Sequence, residues 1–453
     1  MSKFRPHTYL QTRALPLLAF VLVAPLYSCS ATPDAAAGGT DAATKGAPNA
    51  NTAGNAVATG KPGTPGTSAN GTGTANANGT VGTPAVNEGA AASGSIGGGK
   101  YKWEKPASVK GIYMTAWTAG GTKKLEKLMS LLDKTELNSV VIDVRDSGEM
   151  YWKMGIPLAD QSGATQVAVT NPEKLFRRLE KHKVWPIARV AIFRDNFVPK
   201  KFPDRAVRFA DGRVWRDRAG NSWLDPYNKE NWEYIAQTID FAMDIGFPEI
   251  QLDYVRFPSE GKMSTMSFPA RKKYPNPKAT PAQVIADFCD YVGKRVHARG
   301  GVYTADIFGI ISSSTTKDQG IGQSLELIVK PFDVVCPMVY PSHYAKGEYG
   351  IADPNASPYA IITKSLGDYK RRVPEAKVRP WLQDFFGYGA KEVQAQIKAA
   401  RDLGYDEYLM WNAQNNFTSG AYAREGASSA KGSAGKAAPA APATNATQSD
   451  KKA

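Results

Sequence analysis

Between residues 101 and 417 the chain alternates short apolar runs with longer stretches whose apolar positions recur at helical spacing. Eight runs are bounded by turn-forming residues and rich in β-branched and aromatic side chains, the pattern of buried strands. They are Val109–Ala116, Ser139–Asp146, Trp185–Phe193, Glu249–Pro258, Gly301–Gly309, Asp333–Pro341, Val378–Phe386 and Glu407–Ala413. The stretches between them predict helices over Lys123–Lys134, Pro172–Lys183, Asn231–Ile245, Pro281–Arg299, Ile321–Lys330, Tyr359–Tyr369 and Lys391–Leu403. In the first, Leu125, Leu128, Leu131 and Leu132 share one face. The second follows Asn171, a natural N-cap, and has Pro at its first position.

Strands that are apolar on both faces and separated by helices belong to parallel sheets. Eight such repeats in 317 residues predict an α/β fold, a single (β/α)8 TIM barrel, over an open doubly wound sheet. The first strand lacks the glycine-rich phosphate fingerprint of a dinucleotide-binding fold, since Gly120-Gly121 is too short. No CxxC or Cys/His cluster suggests zinc, and no cofactor is expected. Cys289, on a predicted helix, and Cys336, within a predicted strand, are not expected to bridge.

Composition divides the chain further. Residues 31–100 contain no Phe, Tyr or Trp and are almost wholly Ala, Gly, Thr, Asn, Pro and Ser. Such a segment cannot bury enough apolar area to offset its ordering entropy, and the same reading applies to 418–453. Residues 1–28 carry Lys3, Arg5 and Arg13 ahead of an apolar run, Ala14–Tyr27, that is too short to span a bilayer. The run ends at Leu26-Tyr27-Ser28-Cys29, which resembles a bacterial lipobox and makes Cys29 the expected lipidation site. Residues 29–100 would then form a tether reaching about 45 Å root-mean-square. The expected location is the bacterial envelope, as an outer-membrane lipoprotein or, if cleaved without lipid, in the periplasm or outside the cell. The full chain carries a formal charge of +14, but the 101–417 block has 45 basic and 37 acidic residues, a mildly basic surface. With no basic run or nucleic-acid motif, no nucleic-acid partner is expected.

Barrel enzymes work at the C-terminal ends of their strands, so those ends hold the candidate chemistry. Asp143, Asp253, Asp306 and Asp384 lie at the ends of predicted strands two, four, five and seven. Alternation places Arg145 on the face of Asp143, and Gln251 on that of Asp253. Arg145, Arg189 and Arg256 are available as counter-charges. Paired carboxyls on either side of a sugar bond are what glycoside hydrolysis needs, although four Asp could also hold a divalent cation. Aromatic residues gather at the same ends: Trp117, Tyr340, Trp381 and Trp411, with Trp215, Trp223 and Tyr227 in a long loop after strand three. Flat rings for sugar faces beside charged groups for hydroxyls are the make-up of a glycan cleft. His343 and Tyr340 on the strand-six loop are further substrate contacts.

The succession VKGIYMTAW, VVIDVRD, WLDPYN, QLDYVRFP, TADIFG, VCPMVYPSHY and PWLQDF, from Val109 to about Asn416, resembles a bacterial glycosyl hydrolase domain family, domain of unknown function 4015. That family is distantly similar to α-amylase-type barrels. The resemblance implies a strand-four nucleophile, a strand-five acid/base and a strand-seven stabilising Asp, positions matched here by Asp253, Asp306 and Asp384. The pattern departs from the amylase one in two places. Arg256 lies three residues after Asp253 rather than an Arg two before it, and strand five ends in Asp rather than Glu. The resulting expectation is a surface-anchored hydrolase of a polysaccharide or oligosaccharide. The alternative is a glycan-binding or scaffolding lipoprotein without turnover.

Overall fold

The structure, a computed structural model, describes residues 100–314, 318 and 320–422. The segment over 1–28, Cys29, the tether up to residue 99 and the tail beyond 422 lie outside the described residues.

Eight parallel strands close into a barrel: β1 (Lys110–Met114), β2 (Ser139–Asp146), β3 (Trp185–Ala191), β4 (Glu249–Asp253), β5 (Val302–Phe308), β6 (Val334–Met338), β7 (Trp381–Gln383) and β8 (Tyr408–Trp411). Closure is made by β1, which pairs with β2 (Gly111↔Ser139) on one side and β8 (Lys110↔Tyr408) on the other. Among the described residues, one main helix follows each of the first seven strands: α1 (Lys123–Lys134), α2 (Pro172–Lys181), α3 (Lys229–Ile245), α4 (Pro281–His297), α5 (Leu325–Ile328), α6 (Pro358–Arg372) and α7 (Ala390–Asp402), with three further short helices, Ala116–Gly120, Pro157–Ser162 and Val198–Lys201, in the first three connections. The expected (β/α)8 architecture is therefore present. A two-residue strand, Glu149–Met150, folds back antiparallel on β2.

Local chemistry explains most element ends. Asn171 caps α2 by accepting from the Lys174 amide, and Lys183, at φ 53°, ends that stretch before its expected last residue can join the helix. Thr280 and Gln283 form a reciprocal capping box on α4. The helix expected over Ile321–Lys330 shrinks to the single turn α5, preceded by Gly320 and Gly322 in left-handed conformations. Strand β7 is only three residues long. Pro380 cannot donate to the ladder just before it, and Phe386 turns the chain at φ 60° just after it.

Apolar side chains divide between two layers. One cluster joins the outward strand faces to the helices, including Ile112, Ile142, Val190, Leu252, Ala305 and Leu382. A smaller one fills the barrel, including Val109, Tyr113, Val141, Trp185, Ile187, Cys336, Tyr340 and Trp381. The bottom of the barrel is closed by polar groups. Glu249 accepts from Arg379 Nη1 (2.6 Å) and Trp185 Nε1 (2.8 Å), and Arg379 Nε reaches Glu407 (2.7 Å). Arg379 and Glu249 are fully buried, so Glu249 depends on Arg379 for its counter-charge, while Arg379 has Glu249 and the partly exposed Glu407.

The fold also runs past residue 417. Tyr422 is fully buried and its carbonyl accepts from the Glu136 amide, so the chain remains packed on the barrel up to that point. Cys289 and Cys336 are buried free thiols.

Candidate active site

At the upper end of the barrel most strands turn one polar or aromatic side chain inward. The centre is Arg189 of β3. Its Nη1 donates to Asp143 Oδ1 on β2 (2.6 Å), and its Nε and Nη2 donate to Asp253 Oδ2 on β4 (3.0 and 2.5 Å). Asp146 stands 3.5 Å from Arg189 Nη2 and accepts from Arg194 Nη2 at 3.3 Å. Tyr113 of β1 donates its hydroxyl to Asp143 Oδ2 at 2.5 Å, and its ring stacks on Trp411 of β8 at 4.0 Å. The Arg189 guanidinium lies over both rings, 5.4 Å from Trp411 and 5.8 Å from Tyr113. Cation and carboxylates are thus fixed by hydrogen bonds in their plane and by aromatic faces across it.

Asp253 closes β4, and the next residue, Tyr254, takes φ 50°, a strained conformation for a non-glycine residue. This bend brings the Tyr254 amide onto Asp253 Oδ1 at 2.6 Å. The Tyr254 ring carries the Arg194 guanidinium at 3.7 Å, so the bend is held from both sides.

Asp306, inward on β5, has a different environment. Its Oδ1 accepts from Trp381 Nε1 of β7 (2.5 Å) and Gln251 Nε2 of β4 (2.7 Å). No cation contacts it, and Oδ2 has no protein partner among the described residues yet is not sealed from solvent. Burial first, then the charge of Asp253, pushes the Asp306 carboxyl well above the usual carboxylate range. Asp143 is raised to about 6, by burial against the opposing pull of Arg189. Tyr340 follows β6 and is buried against His343 and Phe385. Its hydroxyl has no protein partner among the described residues, and Asp306 and Asp253 add to the burial that holds its proton on. His343 is exposed, yet the protein around its ring lowers its pKa to about 4.

Of the residues singled out from the sequence, the barrel mouth therefore unites Asp143, Arg189, Asp253, Asp306, Tyr340, Trp381 and Trp411. Arg256 and Trp223 adjoin them: the Arg256 guanidinium lies 4.9 Å from the Trp223 ring and 5.3 Å from Tyr254.

Three expectations need correction. Arg145 does not share the face of Asp143. A bulge sets Arg145, not Val144, opposite Val190, and the guanidinium turns outward to Asp195 (2.5 Å) beneath the Tyr234 ring of α3. Asp384 follows Leu382 in facing away from the barrel interior. Its Oδ1 accepts from Thr418 Oγ1 (2.7 Å), and its Oδ2 from the Thr418 amide (2.8 Å) and the Tyr422 hydroxyl. Trp215 is buried in the loop layer and bonded to Thr265, so it offers no free face to a sugar.

Tyr113, Asp146, Arg194 and Tyr254 were not picked out as site residues. Asp146 and Tyr254 stand inside motifs already noted, VVIDVRD and QLDYVRFP, and Tyr113 has the inward parity of β1. That parity was a usable signal. Among the described residues, no group of three His, Cys, Asp or Glu side chains comes together in a way that could hold a metal ion.

A family model described as "Putative glycosyl hydrolase domain" matches residues 111–417. No curated protein matches the chain. Among solved structures, the glycoside hydrolase domain of PgaB (BpsB) from Bordetella bronchiseptica is similar at 14% identity and TM-score 0.52, over 68% of this chain and 94% of that one. A hypothetical protein from Ruminiclostridium thermocellum ATCC 27405 is 33% identical over 44% of this chain and 99% of its own, with TM-score 0.39. The catalytic domain of a β-amylase from Paenibacillus polymyxa is 12% identical over 70% and 95%, with TM-score 0.43.

Proposed function

The chain belongs to this glycosyl hydrolase domain family, and from that premise we propose that it hydrolyses O-glycosidic bonds of a polysaccharide, using Asp306 as general acid and Asp253 as its carboxylate partner. The observation that supports this most is the asymmetry between the two groups. Asp306 is buried without a contacting cation, its carboxyl is pushed well above the usual carboxylate range, and its Oδ2 is unbonded among the described residues, as suits a proton donor. Asp253 is ion-paired to Arg189 and backed by the Tyr254 amide, as suits a group that meets positive charge developing on the sugar. In the proposed step Asp306 passes its proton to the leaving oxygen while Asp253 attacks or stabilises the anomeric carbon. Water supplies the hydroxyl to the sugar and returns the proton.

Turnover of a polysaccharide panel by Asp253→Asn and Asp306→Asn tests this. Both variants should lose at least about 10²-fold. Asp306→Asn should recover partially on substrates with good leaving groups, which need little protonation. Azide rescue to a glycosyl azide in one variant and not the other would assign the roles. Full activity in Asp253→Asn would refute the assignment. The binding-protein alternative has one observation in its favour: Arg189 caps Asp253 with two donors. It predicts no turnover by the wild type, and glycan affinity unchanged within a few fold in both variants.

The apolar run ending at Cys29 supports placement at the cell envelope through a lipid anchor, with the following segment as tether. Cys29→Ser should move the protein from the membrane fraction to the soluble one; unchanged retention would exclude the anchor.

A further inference from the structure

Arg256 is only 3% exposed, and no carboxylate lies within ion-pair distance of it among the described residues. Its neighbours Arg189 and Arg194 both have such partners. A buried cation without a close counter-ion is costly, and burial lowers the pKa of this guanidinium against the more distant charges of Glu260 and Asp253. Rings of Trp223 (4.9 Å), Tyr254 (5.3 Å) and Phe308 (4.6 Å) surround it and offset part of that cost. Among the described residues only Nη1 is engaged: it donates to the Phe257 carbonyl (3.1 Å) and Ser259 Oγ (2.9 Å). Among the described residues Nε and Nη2 have no protein partner, and they are not among the atoms buried without one.

Nε and Nη2 form the side-on edge of the guanidinium, which meets a planar carboxylate with two parallel hydrogen bonds. Resting on the glycan-hydrolysing reading above, we infer that Arg256 binds a carboxylate on the substrate, which makes the substrate an acidic, uronic-acid-containing polysaccharide. The position fits a sugar next to the cleaved bond. Arg256 is three residues beyond Asp253, the two charges interact, and Tyr254, next to Asp253, has its ring 5.3 Å from the Arg256 guanidinium and 6.0 Å from Trp223. The mildly basic 101–417 block, 45 basic against 37 acidic residues, would also draw an acidic polymer toward the barrel.

The test uses the full chain and matched oligosaccharide pairs: oligogalacturonate, oligoalginate and hyaluronan fragments, each beside its carboxyl-reduced form. Wild type should bind one acidic member about 10–100-fold more tightly than its reduced partner, the worth of a charge-assisted bidentate contact. Arg256→Lys keeps the charge but loses the fork. It should bring the acidic member to within about threefold of the reduced one and leave the reduced one unchanged. Wild-type preference needs no variant, so a poorly folding substitution cannot mask the answer. Equal affinity for both members, or a preference that survives in Arg256→Lys, overturns the inference while leaving hydrolysis intact. If a neutral glycan is cleaved and no acidic one is bound, the inference falls alone. If no glycan is bound or cleaved, the hydrolytic reading falls with it.

Discussion

At the scale of single residues, the mouth holds two carboxyls whose protons cost the fold something. Burial and the charge of Asp253 make the Asp306 carboxyl hold its proton to higher pH in the native state than in the unfolded chain. Between those two pH values folding takes up a proton, which opposes folding as pH rises. The linkage has a definite sign. For a carboxyl raised on folding, the stabilising contribution is complete below its unfolded pKa and is lost as pH rises through the folded value. Asp306→Asn removes that penalty: its Oδ1 still accepts from Trp381 and Gln251, and its amide replaces the carboxylic hydroxyl. The variant should melt at least about 2 °C higher than wild type at pH 7. The gain should vanish near pH 3, where the unfolded wild type is protonated too. A lower midpoint at pH 7 would mean that Asp306 is native as a carboxylate, and would remove it as general acid. Asp143 gives a second pH signal. Below about 6 it takes up a proton and loosens its hold on Arg189. The acid limb of kcat/KM should therefore have a midpoint near 6, and Asp143→Asn should abolish that limb while lowering the plateau.

At the scale of elements, what separates the residues read correctly from those misplaced is whether local pattern decides the side chain's direction. Asp143, Asp253 and Asp306 lie in runs whose apolar alternation is unbroken up to the acid, so parity alone aims them inward. Arg145 comes after a bulge, and one extra residue against β3 reverses its direction; no feature of VVIDVRD announces that insertion. Asp384 was misplaced for another reason. Its partners lie 34 and 38 residues away, in a segment whose composition resembles a free tail. Only Tyr422 interrupts the small and polar residues there, and that one ring anchors it. Thr418 and Tyr422 satisfy Asp384 while the Tyr422 carbonyl takes the Glu136 amide ahead of β2, so the segment ties β7 to the start of β2. Ending the chain after Phe417 should therefore leave Asp384 buried without partners and lower the melting midpoint by several degrees, from about 1–3 kcal/mol of lost satisfaction. Ending it after residue 425 should have no such effect. Asp384→Asn should reproduce much of the loss in stability with turnover per folded molecule unchanged. A large fall in kcat without loss of stability would return Asp384 to the chemistry.

At the scale of the whole molecule, the barrel separates stability from chemistry along its axis. Both ends contain buried ion pairs, but they are satisfied differently. At the top, Arg189 is shared among three carboxylates, the Asp306 carboxyl is pushed well above the usual carboxylate range, and among the described residues Arg256 Nε and Nη2 have no bonded partner, an arrangement that suits a ligand. At the bottom, Glu249 is saturated by Arg379, Trp185 and Thr304, and Arg379 reaches on to Glu407, with only its Nη2 buried and unbonded among the described residues. These residues come from or adjoin the starts of β3, β4, β5, β7 and β8, so the cluster staples five of the eight strands at one level. Removing one charge from such a pair strands the other in a low-dielectric interior, at about 3–5 kcal/mol. Arg379→Met should thus lower the melting midpoint by on the order of 10 °C. Arg379→Met combined with Glu249→Leu should recover a large part of that loss, since the fully buried charge goes and only the partly exposed Glu407 is left without its partner. Neither variant touches the mouth, so kcat of the folded fraction should stay within about twofold of wild type at a temperature well below both midpoints. Melting curves paired with initial rates on a cleaved oligosaccharide would check this. If kcat falls in step with stability, the bottom cluster sets the register that aligns Asp253 with Asp306, and the two ends form one cooperative unit.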